Sequence, residues 1–165
     1  MQLPTPNIID FHPHVFPDAL APRAIAQLTV NAAASGYTPL PDGTEAGLLE
    51  SMSKAGISRS VICNIATNPR QMKKVNDFAI TLLDDPRLIP LGSVNPYADG
   101  GEILTELERL KKAGIPGIKI HPDYMKAEID SERFTPIFKA CEERNLLVIT
   151  HAGFDPVEPN HVHCA

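Results

Sequence analysis

Nowhere in the 165 residues is there a block or stripe of lysine and arginine, and the formal net charge of −5 is mildly acidic. The electrostatic footprint of a nucleic-acid-binding surface is therefore missing. No apolar stretch approaches the ~20 residues that a membrane-crossing helix needs. The N-terminus also lacks a basic segment followed by an apolar core, so neither membrane insertion nor secretion is expected and the cytoplasm fits best. Cysteine is scarce: there are three, Cys63, Cys141 and Cys164, with no C-x-x-C pair. An odd, widely spaced set excludes a disulfide framework. Cys63 falls in a strand pattern and Cys141 on the apolar stripe of a helix, which makes both small buried hydrophobes of a reducing compartment.

What is present is an ordinary globular composition, 43% hydrophobic and 21% charged, in a length that suits one domain over residues 1–165. From Ser58 onward, strand and helix patterns alternate. Short apolar strands are expected at 60–64, 88–94, 117–121 and 146–151, with helices at 72–83, 102–113 and after Ser131. Strand starts near residues 60, 88, 117 and 146 recur about every 28 to 29 residues, the step of a βα repeat. Lys54-Ala55-Gly56-Ile57 and Lys112-Ala113-Gly114-Ile115 repeat one helix exit, with glycine at the left-handed position and isoleucine packing behind it. The first interval is longer. It holds two helical patterns, 19–33 and 45–55, around a Gly/Pro-containing loop at 36–43 that reads as an insertion.

Helical connections make the five strands parallel, in either an open sheet or a barrel. A complete (β/α)₈ barrel takes about 250 residues, and five of its eight units about 156. The expected fold is thus α/β, of TIM-barrel type, carrying the first five βα units.

Read by strand ends, the polar chemistry collects on one face. Asp10, His12 and His14 end the first strand, Asn64 the second, Ser93 and Asn95 the third, Lys119 and His121 the fourth, and His151 the fifth. In parallel α/β folds this carboxyl-end face is the functional one. Within Ile8-Ile9-Asp10-Phe11-His12-Pro13-His14, strand alternation points Asp10, His12 and His14 to one side. Two imidazoles at i and i+2 have Cβ atoms about 7 Å apart, a gap that a metal held about 2.0–2.1 Å from each nitrogen bridges. His151 precedes Ala152-Gly153, a small-residue turn that lets a ligand approach the backbone. His12, His14 and His151 are the expected metal ligands. Asp10 is either a carboxylate that orients a ligand histidine or a strand-end hydrogen-bonding group. Lys119 and His121 share a face by the same alternation, and ion-pair filling with a neighbouring carboxylate is the plain reading of Lys119. The tail pattern His161-Val162-His163-Cys164 is chemically able to bind metal but reads as a loop.

Asp10-Phe11-His12-Pro13-His14, Gly117-Ile118-Lys119-Ile120-His121-Pro122 and Thr150-His151-Ala152-Gly153 together resemble the amidohydrolase superfamily. Within it, the sequence is most similar to the group that includes aminocarboxymuconate semialdehyde decarboxylase and 4-oxalomesaconate hydratase-like proteins. The resemblance implies one divalent metal, usually zinc, on His12, His14 and His151. It also implies an acid/base histidine on a sixth strand and a metal-binding aspartate on an eighth, neither of which this sequence contains, so the chain is expected to be truncated after strand five. Two-metal relatives use a carboxylated strand-four lysine as a bridge, a role open to Lys119. In one-metal members Lys119 or His121 instead meets an anionic substrate group.

The function expected is metal-dependent hydrolysis, with activated water attacking a small amide or lactone. The alternatives are non-oxidative decarboxylation on the same site, phosphoester cleavage, which the weak basic character disfavours, and a metal-binding, non-catalytic fragment that closes its sheet edges by homo-oligomerisation.

Overall fold

The computed structural model describes residues 7–33, 36, 42–153 and 155. Most of the expected 36–43 insertion and all of the His161–Cys164 tail lie outside them. The strands are β1 (Ile8–Asp10), β2 (Ile57–Ile62), β3 (Leu88–Pro90), β4 (Gly117–Ile120) and β5 (Leu147–Thr150). The helices are α1 (Ala21–Ala32), α2 (Glu45–Ala55), α3 (Met72–Thr81), α4 (Gly100–Ala113), the single turn α5 (Pro122–Met125) and α6 (Thr135–Glu143).

Local chemistry sets the helix boundaries. Thr44 accepts from Gly47 N–H at the start of α2, and Asp99 accepts from Gly101 and Glu102 N–H at the start of α4. Each such cap satisfies amide donors that the first helical turn leaves unpaired. Both expected helix exits are present: Gly56 and Gly114 have φ of 68° and 93°, and behind the second Ile115 N–H donates to Leu110 C=O at 3.0 Å. The amphipathic stripes of α3, α4 and α6 meet the sheet in one core containing Leu107, Leu110, Ile118, Ile120, Phe134 and Ile137.

All pairings are parallel, β1 with β2, β2 with β3, and β4 with β5. A single parallel bridge, Gly92 with Ile118, joins the two groups. There Gly92 N–H donates to Gly117 C=O at 3.0 Å and Lys119 N–H to Gly92 C=O at 2.8 Å. The order is therefore 1-2-3-4-5 with no reversal, whereas doubly wound sheets reverse at a switch point. The fold is five consecutive staves of a (β/α)₈-type barrel, and the open-sheet alternative falls away.

Strand alternation sorts the two faces. Ile118 and Ile120 pack against the helices, while Val61, Cys63 and Leu91 cluster on the inner face with Ile89 and Ile149. Lys119, between Ile118 and Ile120, faces inward and is fully buried. The outer strands of the arc are exposed, Ile8 and Ile9 on β1 and Leu147 and Val148 on β5. Among the described residues no helix is long and apolar enough to cross a membrane.

The regular strands differ from the sequence reading in ways that matter for the site. β1 stops at Asp10, so His12 and His14 lie beyond it on an extended exit and not on the strand itself. β2 starts three residues early, at Ile57, and β3 is regular only to Pro90, because proline has no amide to give and Gly92 supplies one bridge alone.

A candidate metal centre at the strand ends

The exit of β1 is pinned by main-chain contacts. Asp10 Oδ1 accepts from His12 N–H at 3.0 Å, Cys63 N–H donates to Pro13 C=O at 2.9 Å, and Val15 N–H donates to Asn64 Oδ1 at 3.3 Å. These bonds fix the backbone so that the His12 and His14 rings stand side by side, centroids 5.2 Å apart. Of the two roles read for Asp10, the hydrogen bond observed is the strand-end one, to the main chain of His12 and not to an imidazole.

His121 follows β4 and His151 follows β5. His151 N–H donates to Ile120 C=O at 3.1 Å, which carries the β4–β5 pairing one residue past the strand and draws the two histidines together. Their rings stack with centroids 4.0 Å apart and planes 9° from parallel, and Tyr124 of α5 stacks on His121 at 3.9 Å and 1°. After the Gly153 turn (φ 86°) the chain brings the buried Asp155 back over the pair. Asp155 Oδ2 lies 3.3 Å from His121 Nε2 and 3.9 Å from His151 Nε2.

Burial and neighbouring charge favour the neutral form of His12, His14 and His121. Burial, then the neighbouring His12 and the Lys119 ammonium, push His14 down to about 4, against a hydrogen bond to the Cys63 main chain. Burial and the adjacent His151 push His121 down to about 4 despite Asp155. His12 is lowered by burial, Lys119 and His151, with Asp10 opposing. Neutral imidazole is the form that binds metal. His14 also hydrogen-bonds to the Cys63 main chain, a contact that fixes the ring's orientation.

His12, His14, His121, His151 and Asp155 all line one cavity of about 580 Å³. Its remaining walls are mainly apolar, with Phe16, Leu20, Ile65, Val75 and Phe78 facing the histidines, and Lys74 of α3 bringing an exposed ammonium to the wall. The donor set fits a divalent metal. Four imidazoles and a carboxylate converge, and two buried nitrogens, His121 Nδ1 and His151 Nε2, have no hydrogen-bond partner among the described residues. A buried nitrogen without a partner is costly unless something occupies it.

The structure thus gathers five of the six residues singled out in the sequence, His12, His14, Lys119, His121 and His151, around one inner space; Lys119 acts on His12, His14 and His121 through its charge. Other strand-end groups are structural. Ser93 donates to Lys119 C=O and accepts from Ala66 N–H, Asn95 donates to Ala66 C=O, and Asn64 holds Val15. Sequence reasoning missed Asp155 and Tyr124. The available signal for Asp155 was an acid four residues past His151, across a glycine turn.

The model of the amidohydrolase family matches residues 9–163. The chain belongs to that family. No curated protein is matched by the sequence. Among solved structures, it is similar to a TIM-barrel protein of Bordetella bronchiseptica at 21% identity and a TM-score of 0.69, over 91% of this chain and 57% of that one. A 5-carboxyvanillate decarboxylase of Novosphingobium aromaticivorans, solved with bound manganese and 3-methoxy-4-hydroxy-5-nitrobenzoic acid, matches at 18% identity and a TM-score of 0.65, over 92% of this chain and 52% of that one. A probable 2-pyrone-4,6-dicarboxylic acid hydrolase of Acinetobacter baumannii, solved with citric acid, matches at 20% identity and a TM-score of 0.51, over 88% and 49%. These likenesses establish the TIM-barrel fold, and the chain spans about half the length of the structures it matches.

Proposed function

We propose that this amidohydrolase-family chain carries the metal-binding part of an active site for a small carboxylate-bearing, amide or lactone substrate, with His12, His14 and His151 as ligands of a divalent ion, zinc by preference. The observation that carries this reading is the convergence of crowded imidazoles from three strand ends on one otherwise apolar cavity. When bound, such an ion lowers the pKa of water toward about 7 and polarises a carbonyl oxygen.

The chain's own groups supply the rest of the argument. The apolar wall takes up the body of a substrate and excludes bulk water, which strengthens every polar interaction at the histidines. The charge of Lys119 adds to burial in disfavouring protonation of His12, His14 and His121. Lys74 is placed to meet a carboxylate at the far wall. Hydrolysis is the first reading. Non-oxidative decarboxylation is the second, favoured by the apolar walls that would hold an aromatic acid and by the likeness to a manganese-containing decarboxylase.

The test is an assay of the purified protein with zinc or manganese against a panel of lactones, amides and aromatic carboxylates, following ring opening, amine release and carbon dioxide. Metal-dependent turnover that is abolished in His14→Ala supports the reading, and the product identifies the chemistry. Turnover that is unchanged by metal removal contradicts it.

A further inference from the structure

The metal reading above leaves His121 and Asp155 outside the ligand set, yet they form the tightest donor group of the described residues. One ligand atom from each of His121, His151 and Asp155 lies within 4.8 Å of the others. In a tetrahedral site with ligands about 2.0–2.1 Å from zinc, neighbouring ligand atoms are about 3.3 Å apart. Asp155 Oδ2 stands 3.3 Å from His121 Nε2, the separation of neighbouring ligands around one ion, and 3.9 Å from His151 Nε2, a gap that a turn of the His151 ring closes. Two of the three are enclosed, His121 being 4% exposed and Asp155 5%, and His151 is partly buried. His151 Nε2, the atom that faces Asp155 Oδ2, is buried and has no hydrogen-bond partner among the described residues, which is what a site shaped for a further bonding partner presents. Two imidazoles and a carboxylate with an open fourth position are also a donor set that zinc uses in catalytic centres.

We propose that His121, His151 and Asp155 bind a divalent metal ion of the zinc type, with His151 the ligand shared between this group and the His12–His14 pair. The proposal rests on the metal-dependent reading of the cavity and changes what it requires. Three ligands come from β4, β5 and the loop after β5, all within this chain, so binding does not wait on a strand beyond Thr150. The carboxylate also brings the negative charge that the three-imidazole set lacks, which offsets the nearby Lys119 ammonium. Lone pairs of rings 9° from parallel do not converge, so binding turns one ring out of the stack.

The experiment is calorimetric titration of the metal-free protein with zinc chloride alone, repeated with cobalt(II) to read coordination from its visible absorption. Wild type is compared with Asp155→Asn, His121→Asn and His14→Asn, each first shown by circular dichroism and metal-free thermal unfolding to be folded. Loss of an ion, or a drop of ten-fold or more in zinc affinity, in both Asp155→Asn and His121→Asn with altered cobalt absorption supports the proposal, whether or not His14→Asn also weakens binding. Full affinity and an unchanged cobalt spectrum in those two variants overturn it; if His14→Asn alone then loses the ion, the ligand set of the proposed function stands. No zinc bound by folded wild type overturns both.

Discussion

His121 and His151, thirty residues apart at the ends of adjacent strands, lie ring on ring with centroids 4.0 Å apart. Burial first, and then the neighbouring His151, disfavours the charged form of His121. The arrangement therefore ties the site to pH.

His14 and His121 take up protons at about 4 in the folded chain, against about 6.5 when unfolded. Between those values the unfolded chain binds more protons, so folding is increasingly disfavoured as pH falls. The metal-free protein should hold its stability above about pH 7 and lose it progressively as pH drops from 6.5 toward 4. Urea midpoints at pH 7.5, 6 and 5 check this, and His14→Asn should flatten the slope. A midpoint that rises on acidification would contradict the shifts.

Gly117 of β4 pairs with Leu147 of β5. A Cβ there would collide with the Leu147 carbonyl and side chain, and a backbone atom cannot swing away. Gly117→Ala should therefore cost about 1–3 kcal/mol and loosen the pairing that brings His151 to His121. Denaturant unfolding reads the first effect and zinc affinity the second.

Asn76 is a fully buried amide on α3 that donates to Ser93 C=O and to Glu106 Oε1 and accepts from Ser93 N–H. Asn76→Ala leaves the buried Ser93 N–H and C=O unpaired, while Glu106 keeps Arg109, at a cost of about 1–3 kcal/mol. Because Ser93 Oγ in turn holds the Lys119 carbonyl, hydrogen exchange at Lys119 N–H should also quicken. Unchanged stability would mean that another group replaces the amide.

Lys74 should matter for charged substrates alone. Lys74→Ala is expected to raise KM for an anionic substrate about five-fold, the worth of one exposed ion pair at about 1 kcal/mol, and to leave kcat and neutral substrates unchanged. Equal effects on neutral and anionic substrates would remove the ion-pair account.

The fold was legible because its signals are local. Gly56 and Gly114, the Asp99 cap and the period-two pattern around Lys119 each depend on a few neighbouring residues, and all have the roles expected of them. The histidines were legible because the repeat places strand ends in one plane. The exit geometry of β1 was not, since it depends on Cys63 and Asn64, which lie 50 and 49 positions along the chain from the residues they hold. Asp155 escaped notice because its segment is rich in proline and reads as a loop; only the turn at Gly153 brings the carboxylate home. The single turn of α5 is too short for a periodicity, and with it went Tyr124.

The central claim is that the histidines at these strand ends hold a metal. Elemental mass spectrometry of the purified protein beside its His14→Ala variant tests it most directly. The account predicts about one equivalent or more of zinc or a similar divalent metal, reduced in the variant. A folded wild type that carries no metal after incubation with zinc and manganese would contradict it.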